Sequence, residues 1–445
     1  MGAMTGWCRF HPCAFAGLPL QFPIGYAAVT MQPIASPPCF AAGQSGWRSL
    51  ARLGLAWLLV GWLGWPATAV AWPGSLTITN LQQLQTATSG GARVVASLDL
   101  VVTVCGASRP AMGALLVSDA TGVEMLGLGD AAPRVQPGDR IRVDAAACLL
   151  RPRATGVEIS AVPVVDNDGH HEPREVAGQV NLSTGYHSLR LEWFNGVVGS
   201  ALQVTFAGPE IPWQPLSATN LWSSPAPDSL TPGHFSPGLQ AACYEGFWEE
   251  LPNFNWLPPV KTGNVPTVDR EFASRLEAVG LRFTGFFYAP RPGIYQFQLL
   301  SDDGAMLFLN GAPLRVRVLE HGEPPVAAAA IVGQAMPDTG DGSWVRVEGR
   351  VSFITANGCG WQLELQSDTG TMQAFLVDGI GLDPASLLHR RVRIRGLGRS
   401  ILTLDNQRIL GRLLVAGAGD LEVLDPVTPA PSSPARLRLE RAFAR

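Results

Sequence analysis

The stretch "LRFTGFFYAPRPGIYQFQLLSDDGAMLFLNG" (281–311) decides how the chain is to be read. Three apolar or alternating runs are separated by Pro-Arg-Pro-Gly and by Ser-Asp-Asp-Gly, which predicts three β-strands joined by tight turns. The second turn places two adjacent carboxylates, Asp302 and Asp303, at the mouth of a strand pair. A related turn occurs earlier, in "VVDNDGHH" (164–171), where Asp166 and Asp168 flank Asn167 ahead of Gly169. Two readings of such turns stand side by side. Asp and Asn accept hydrogen bonds from their own backbone while Gly takes the positive φ, which is turn chemistry alone. Equally, clustered carboxylate oxygens on a loop suit Ca²⁺, a cation that takes six to eight oxygen ligands. The adjacent His170 and His171 are expected to belong to a solvated turn.

Strand signals of the same kind extend in both directions. "SLRLEWFNG" (188–196) and "ALQVTFAGP" (201–209) read as a hairpin of half-buried strands, and most aromatics lie between 186 and 308. The Ser- and Pro-rich stretch 217–237 reads as a linker. Upstream, "ARVVASLDLVVTV" (92–104), "MGALLVSDATG" (112–122) and "PGDRIRVDAAACL" (137–149) are alternating runs broken by Gly, Pro and Asp. Downstream the order returns, as "SWVRVEGRVSFI" (343–354), "GWQLELQSDTG" (360–370) and "LLHRRVRIRGLG" (387–398), with "LLVSDATG" and "LELQSDTG" at matching places. This is an internal repeat of a small barrel. The expected fold is therefore all-β. An OB-like barrel spans 72–163, an aromatic-rich sandwich 164–311, a second OB-like barrel 312–427, and a disordered tail 428–445.

Composition limits the function classes. The chain has 445 residues and a formal net charge of −4, so it carries no electrostatic footprint for nucleic acid. Residues 78–163 of the first barrel contain no Phe, Trp or Tyr on which bases could stack, and Trp344, Phe353, Trp361 and Phe375 of the second read mostly as core. Near the N-terminus, Arg48 and Arg52 precede an apolar core and Ala69-Val70-Ala71, the order of a secretory signal peptide cleaved after Ala71. Residues 1–46 form an upstream extension. The apolar run is short for a membrane span, so the mature chain is expected to be exported, without a stable span. Of seven cysteines, Cys105, Cys148, Cys243 and Cys359 remain after that cut. None has metal-ligand spacing, and Cys105 and Cys148 either pair or stay as buried thiols.

The middle segments resemble the protective-antigen-type (PA-14) domain, a β-sandwich of bacterial toxins, glycosidases and adhesins. The resemblance is carried by 164–196, by "YEGFWEELPNFNWLPPVKTGNVP" (244–266) and by 281–311. The family's order is inverted here: the DNDG half (164–216) precedes the half from 238 to 311, which suggests a permuted sandwich closing on itself. In lectin-like members the paired aspartates hold calcium, which grips sugar hydroxyls. The resemblance thus implies Asp302 and Asp303 as metal ligands, with Asn195, Asp166, Asp168 and Trp248 as candidate ligand-binding residues and a glycan or polysaccharide as partner; Trp256 is a further candidate stacking residue. No HExxH, GxSxG, P-loop or dinucleotide fingerprint is present, so the chain is expected not to be an enzyme. A secreted carbohydrate-binding or adhesion protein is the leading expectation. A truncated sensor-kinase ectodomain and a structural envelope protein are the others.

Overall fold

The computed structural model describes residues 76–224, 235–310, 314–336 and 342–425. The expected signal segment, the upstream extension and the tail 428–445 lie outside them. The described chain is nearly all strand, as its alternating runs require: a sandwich with a closed five-stranded barrel before it and another after it.

The first barrel begins with β1 (Leu76–Ile78) and a short helix, α1 (Leu81–Thr88), whose start is capped by the Asn80 side chain accepting from Gln83 N. Then follow β2 (Val94–Ala107), β3 (Ala114–Asp119), β4 (Gly122–Gly127), β5 (Arg140–Arg153) and β6 (Gly156–Ser160). They close in the ring β2–β3–β4–β6–β5–β2, with β4 and β6 parallel. Alternation along β2 sends Leu98, Leu100, Val102 and Val104 into the barrel, where they meet Ile141 and Val143 of β5.

The sandwich comprises β7 (Val165–Asn167), β8 (Arg174–Leu182), β9 (Gly185–Asn195), β10 (Ala201–Gly208), β11 (Ile211–Pro215), β12 (Leu221–Ser223), β13 (Ser236–Pro237), β14 (Leu239–Glu245), β15 (Lys261–Val265), β16 (Val279–Ala289), β17 (Gly293–Asp302) and β18 (Ala305–Leu309). One sheet has the order β11–β10–β17–β8. The other runs β13–β12–β16–β9–β18–β7, with β14 and β15 added on β16. Between them lie Leu189, Leu191, Trp193, Leu281, Phe283, Phe287, Tyr295 and Phe297. The two halves of the chain interleave in both sheets: β17 of the later half lies between β10 and β8 of the earlier one. The sandwich is thus closed within one chain.

Several expectations change at this level. The expected hairpin 188–209 is not a hairpin, because β9 and β10 belong to opposite sheets. Likewise β16, β17 and β18 alternate between sheets, so that SDDG is a crossover from one layer to the other. The stretch 217–237, expected as a linker, contributes β12 and β13 to a sheet edge, with Leu221 fully buried; residues 225–234 lie outside the described set.

The chain next returns to the first barrel. β19 (Arg315–Glu320), expected in the second barrel, pairs with β5 instead. The second barrel then runs through β20 (Ala328–Ala330), β21 (Ser343–Asn357), β22 (Gly360–Ser367), β23 (Gly370–Asp378), α2 (Pro384–Leu387), β24 (Arg391–Leu402), β25 (Arg408–Gly417) and β26 (Leu421–Val423). Its ring, β21–β22–β23–β25–β24–β21 with β23 and β25 parallel, repeats that of the first barrel. The repeated SDATG and SDTG turns close the same hairpin in each, between the second and third ring strands. Phe353 departs from its expected core place. A bulge between Val351 and Phe353 shifts the register and turns the ring outward, 56% exposed.

The first barrel touches both neighbours. Leu149 packs with Phe194, Tyr244, Phe254 and Met306 of the sandwich. Toward the second barrel, Cys105, Met112, Leu116 and Met125 pack with Trp344, Leu397 and Leu414. Glu124 and Arg399 pair across that contact at 2.6 Å. Cys105 and Cys148 point into separate clusters and are free thiols, as are Cys243 and Cys359.

Candidate functional site

Three crossovers gather at one end of the sandwich. DNDG carries the chain from β7 in one sheet to β8 in the other, residues 196–200 carry it from β9 to β10, and SDDG carries it from β17 to β18. Strand pairing fixes their proximity, for Asp302 lies opposite Ala201, Ser301 opposite Arg174, and Ala305 opposite both Asn167 and Trp193. The sequence order hides this, since SDDG lies about a hundred residues or more after the other two loops.

Asp303 joins the loops. Its Oδ2 accepts from the Gly196 amide at 2.8 Å and its Oδ1 from the His171 amide at 3.2 Å, while His170 Nδ1 lies 3.0 Å from Oδ1. Around it, Trp193 Nε1 donates to the Asp302 carbonyl, and Asn167 donates to Ser301 Oγ at 2.7 Å. The peptide between Asp302 and Asp303 is cis. The histidines, expected in a solvated turn, are both engaged: His171 has its ring nitrogens 2.9 Å from the carbonyl oxygens of Asn167 and Glu172.

Asp302 differs sharply from its neighbour. It is 5% exposed, and its carboxylate makes no hydrogen bond among the described residues. Burial, and then the charge of Asp303, push its pKa up. The 196–200 loop passes directly over it. Gly199, at φ +93°, could carry no Cβ without running into the Asp302 carboxylate. Asn195 closes the group. Its Nδ2 donates to the carbonyls of Gly199 and Leu276 at 3.0 and 2.7 Å, and its Oδ1 is buried without a partner. Buried polar atoms are paired in nearly all cases, so the orphaned Asn195 amide oxygen and the unbonded Asp302 carboxylate, both of residues that contact Gly199, are acceptors a cation or a donor-rich ligand could use. Among the described residues no group of three or more His, Cys, Asp or Glu side chains is set to hold a metal ion. A cation here would rest on two carboxylates and an amide oxygen, completed by backbone carbonyls or ligand hydroxyls.

The remaining candidates lie elsewhere. Asp166 pairs with Arg93 of the first barrel at 2.9 Å. Asp168 has a fully buried side chain that accepts from the Leu251 and Gly169 amides and faces Arg93 and Arg151 at 3.3 and 3.6 Å. Both therefore fasten the sandwich to the barrel: Asp168 is spent on that contact with its side chain wholly buried, whereas Asp166 remains partly exposed to solvent. Trp248 is half-buried, edge-on to Phe254 at 6.2 Å, and serves packing. Trp256 donates its Nε1 to the Met112 carbonyl at 2.7 Å in the contact with the first barrel. The exposed aromatic near the crossovers is Phe247, beside the His170 ring, which the sequence did not single out.

With this geometry in view, the comparison with protein families bears on it directly. The PA14 domain model matches residues 264–342. The match contains β16, β17 and β18 and hence the SDDG crossover, and it runs on through β19 and β20, which pair with the barrels. The segment 164–216, which supplies the DNDG and Asn195 loops to the same sandwich, lies before the match. No curated protein matches the chain.

Proposed function

We propose that the chain is an exported, non-catalytic binding protein whose PA14-type sandwich takes a carbohydrate at the crossover end, with Ca²⁺ between protein and sugar. The observation that carries this reading is the unbonded Asp302 carboxylate together with the orphaned Asn195 Oδ1, both of residues that contact Gly199. Asp302, Asn195 and a remaining lone pair of Asp303 would hold the cation. When bound, it would supply a Lewis-acidic centre for vicinal sugar hydroxyls and would relieve the repulsion between the two aspartates. Asp303, tied to two amides and to His170, positions the loops. The half 164–216 is read as the family's later half placed first, a permuted order consistent with a sandwich closed within one chain. The common ring order of the two flanking barrels supports reading them as OB-like supports. No helix among the described residues is long and apolar enough to cross a membrane.

The test is a glycan-array screen of the full chain in calcium and in chelator, beside Asp302→Asn. This substitution keeps shape and removes only the charge, whereas Asp303→Ala would also unmake the loops. Calcium-dependent binding that disappears in Asp302→Asn is the expected result. Absence of binding in either buffer would refute the carbohydrate reading and turn attention to a sensor or scaffold role.

A further inference from the structure

Alternation in β9 and β16 sends one set of side chains into the sandwich and the other onto its outer face, which elsewhere in antiparallel sheets meets water. Here that face is covered by the first barrel, and a cavity of about 540 Å³ remains between them. That size falls within the range of small-molecule sites, roughly 300–1,000 Å³. Its floor is a row across four strands, in which Phe308 lies opposite Arg190, Arg190 opposite Thr284, and Thr284 opposite Gln240. Glu192 and Arg282 form the adjacent pair.

Arg190 is held only loosely by its ion pair in this cavity. Glu192 Oε1 lies 3.5 Å from Arg190 Nε and 3.6 Å from Arg282 Nε, so one carboxylate faces two guanidinium groups without a hydrogen bond to either Nε. Arg282 is further held by Asn255 Oδ1 at 2.5 Å. Glu158, the other acid of the lining, is already bonded by Arg151 and Arg153 at 2.7 and 2.9 Å. Arg190 is left with a buried Nε that has no partner and with terminal nitrogens that make no hydrogen bond among the described residues. Its guanidinium is nevertheless fixed in place, 4.2 Å from the Phe308 ring centroid. A planar fork held on an aromatic face with its donors unspent matches a carboxylate, which it can grip by two parallel bonds. Beside it, Thr284 and Gln240 offer hydroxyl and amide groups. The same residues, with Arg282, also line a second cavity of about 850 Å³, so the groove continues past the arginine.

We propose that this interdomain groove is a second binding site, for a carboxylate-bearing saccharide of the uronate class, with Arg190 gripping the carboxylate and Thr284 and Gln240 meeting ring hydroxyls. The site is independent of the crossover end and needs no cation.

Isothermal titration of the full chain in chelator tests it, with D-glucuronate, D-glucuronamide and D-glucose as probes. Glucuronate is expected to bind at millimolar concentration. The neutral amide and glucose should bind about tenfold more weakly or worse, the loss expected for a charge-assisted pair. Arg190→Gln should lower glucuronate affinity by a similar factor, and Arg190→Lys should restore part of it by returning the charge without the fork. Asp302→Asn should leave glucuronate binding unchanged, which separates this site from the calcium-dependent one. Equal affinity for glucuronate and glucuronamide, full affinity in Arg190→Gln, or no glucuronate binding by the folded wild-type chain would each overturn the assignment.

Discussion

Asp302 and Asp303 are neighbours in sequence, nearly equally buried at 5% and 6% exposure, and yet should respond oppositely to substitution. In Asp303→Ala the Gly196 and His171 amides lose their acceptor at once, and His170 loses its partner. A buried donor left unpaired costs about 1–3 kcal/mol, so two amides place the penalty at about 2–6 kcal/mol, with the imidazole contact adding less because His170 is a third exposed. Asp302→Asn removes no hydrogen bond made by the side chain. Its charge is moreover disfavoured in the fold, where burial and Asp303 raise its pKa above the ordinary 3.8. For an acid raised on folding, the native state binds the extra proton, and stability falls as pH rises through the raised value. At pH 7 the wild-type therefore bears the penalty of a charged Asp302, and Asp302→Asn should be as stable as wild-type or more so. Below 3.8 the advantage should vanish. Urea unfolding of wild-type and both variants in chelator, followed by tryptophan fluorescence, gives the comparison. Equal destabilisation by the two substitutions, or a larger cost for Asp302→Asn, would refute the division of labour drawn between them.

Two further outcomes follow from burial at the barrels. Asp420, buried beside Cys105 and Gly106 and 3.2 Å from Arg395, has its pKa pushed by desolvation from 3.8 to about 6. Its contribution to stability is thus complete below pH 3.8 and lost as pH rises to about 6. Asp420→Asn should exceed wild-type by up to about 3 kcal/mol at pH 8 and match it near pH 4, whereas a gain in melting temperature that stays constant across pH would exclude this cause. The thiols should react in order of burial. Cys359, half-exposed, should be labelled by a thiol reagent in the native chain before Cys105 and Cys148, whose pKa values burial pushes up to about 11 and about 12. All four should label in denaturant without reductant, and a missing pair there would indicate a disulfide.

How much of this was legible depended on whether the cause was local. Alternation in "SLRLEW" is local, and the half-buried strand it predicts is found, with Leu189, Leu191 and Trp193 in the core and Arg190 and Glu192 on the other face. The repeated barrel was also legible, because each copy spends its Ser-Asp-…-Gly turn on the same hairpin. Period-two patterning is silent, however, on which sheet a strand joins. The five residues 196–200 could have closed a hairpin and instead bridge the layers. "RVRVLE" of β19 suits either barrel by its pattern, and only pairing with β5 decides. Asp168 looked like a surface turn residue because the arginines that bury it come from β5 and from the segment before β2, Arg151 and Arg93. The calcium-type candidates were visible as residue types, but the unequal use of the two aspartates follows from amides brought in by two other loops.

The same distinction explains why the outer-face groove went unread. Its four floor residues come from four strands, and each taken alone is an ordinary outward polar or aromatic position. Their meaning changes when the first barrel covers them. A face patterned for water, once enclosed, either exchanges its polar groups for apolar ones and packs shut or keeps them and must satisfy them. Around the groove both solutions occur side by side. Phe194, Met306 and Phe254 pack against Leu149 of the barrel, whereas Arg190, Glu192 and Arg282 keep their charges. Glu158, on the barrel side, is fully matched by its arginines, so retained charge in this interface can be satisfied internally. Arg190 has only its 3.5 Å contact with Glu192, without a hydrogen bond at Nε, and the space in front of it stays open. A half-buried guanidinium whose donors the fold leaves without hydrogen bonds, beside a cavity large enough for a sugar ring, is one that a ligand bearing a carboxylate would satisfy. Saturating glucuronate should accordingly stabilise the native chain in proportion to its occupancy of the groove.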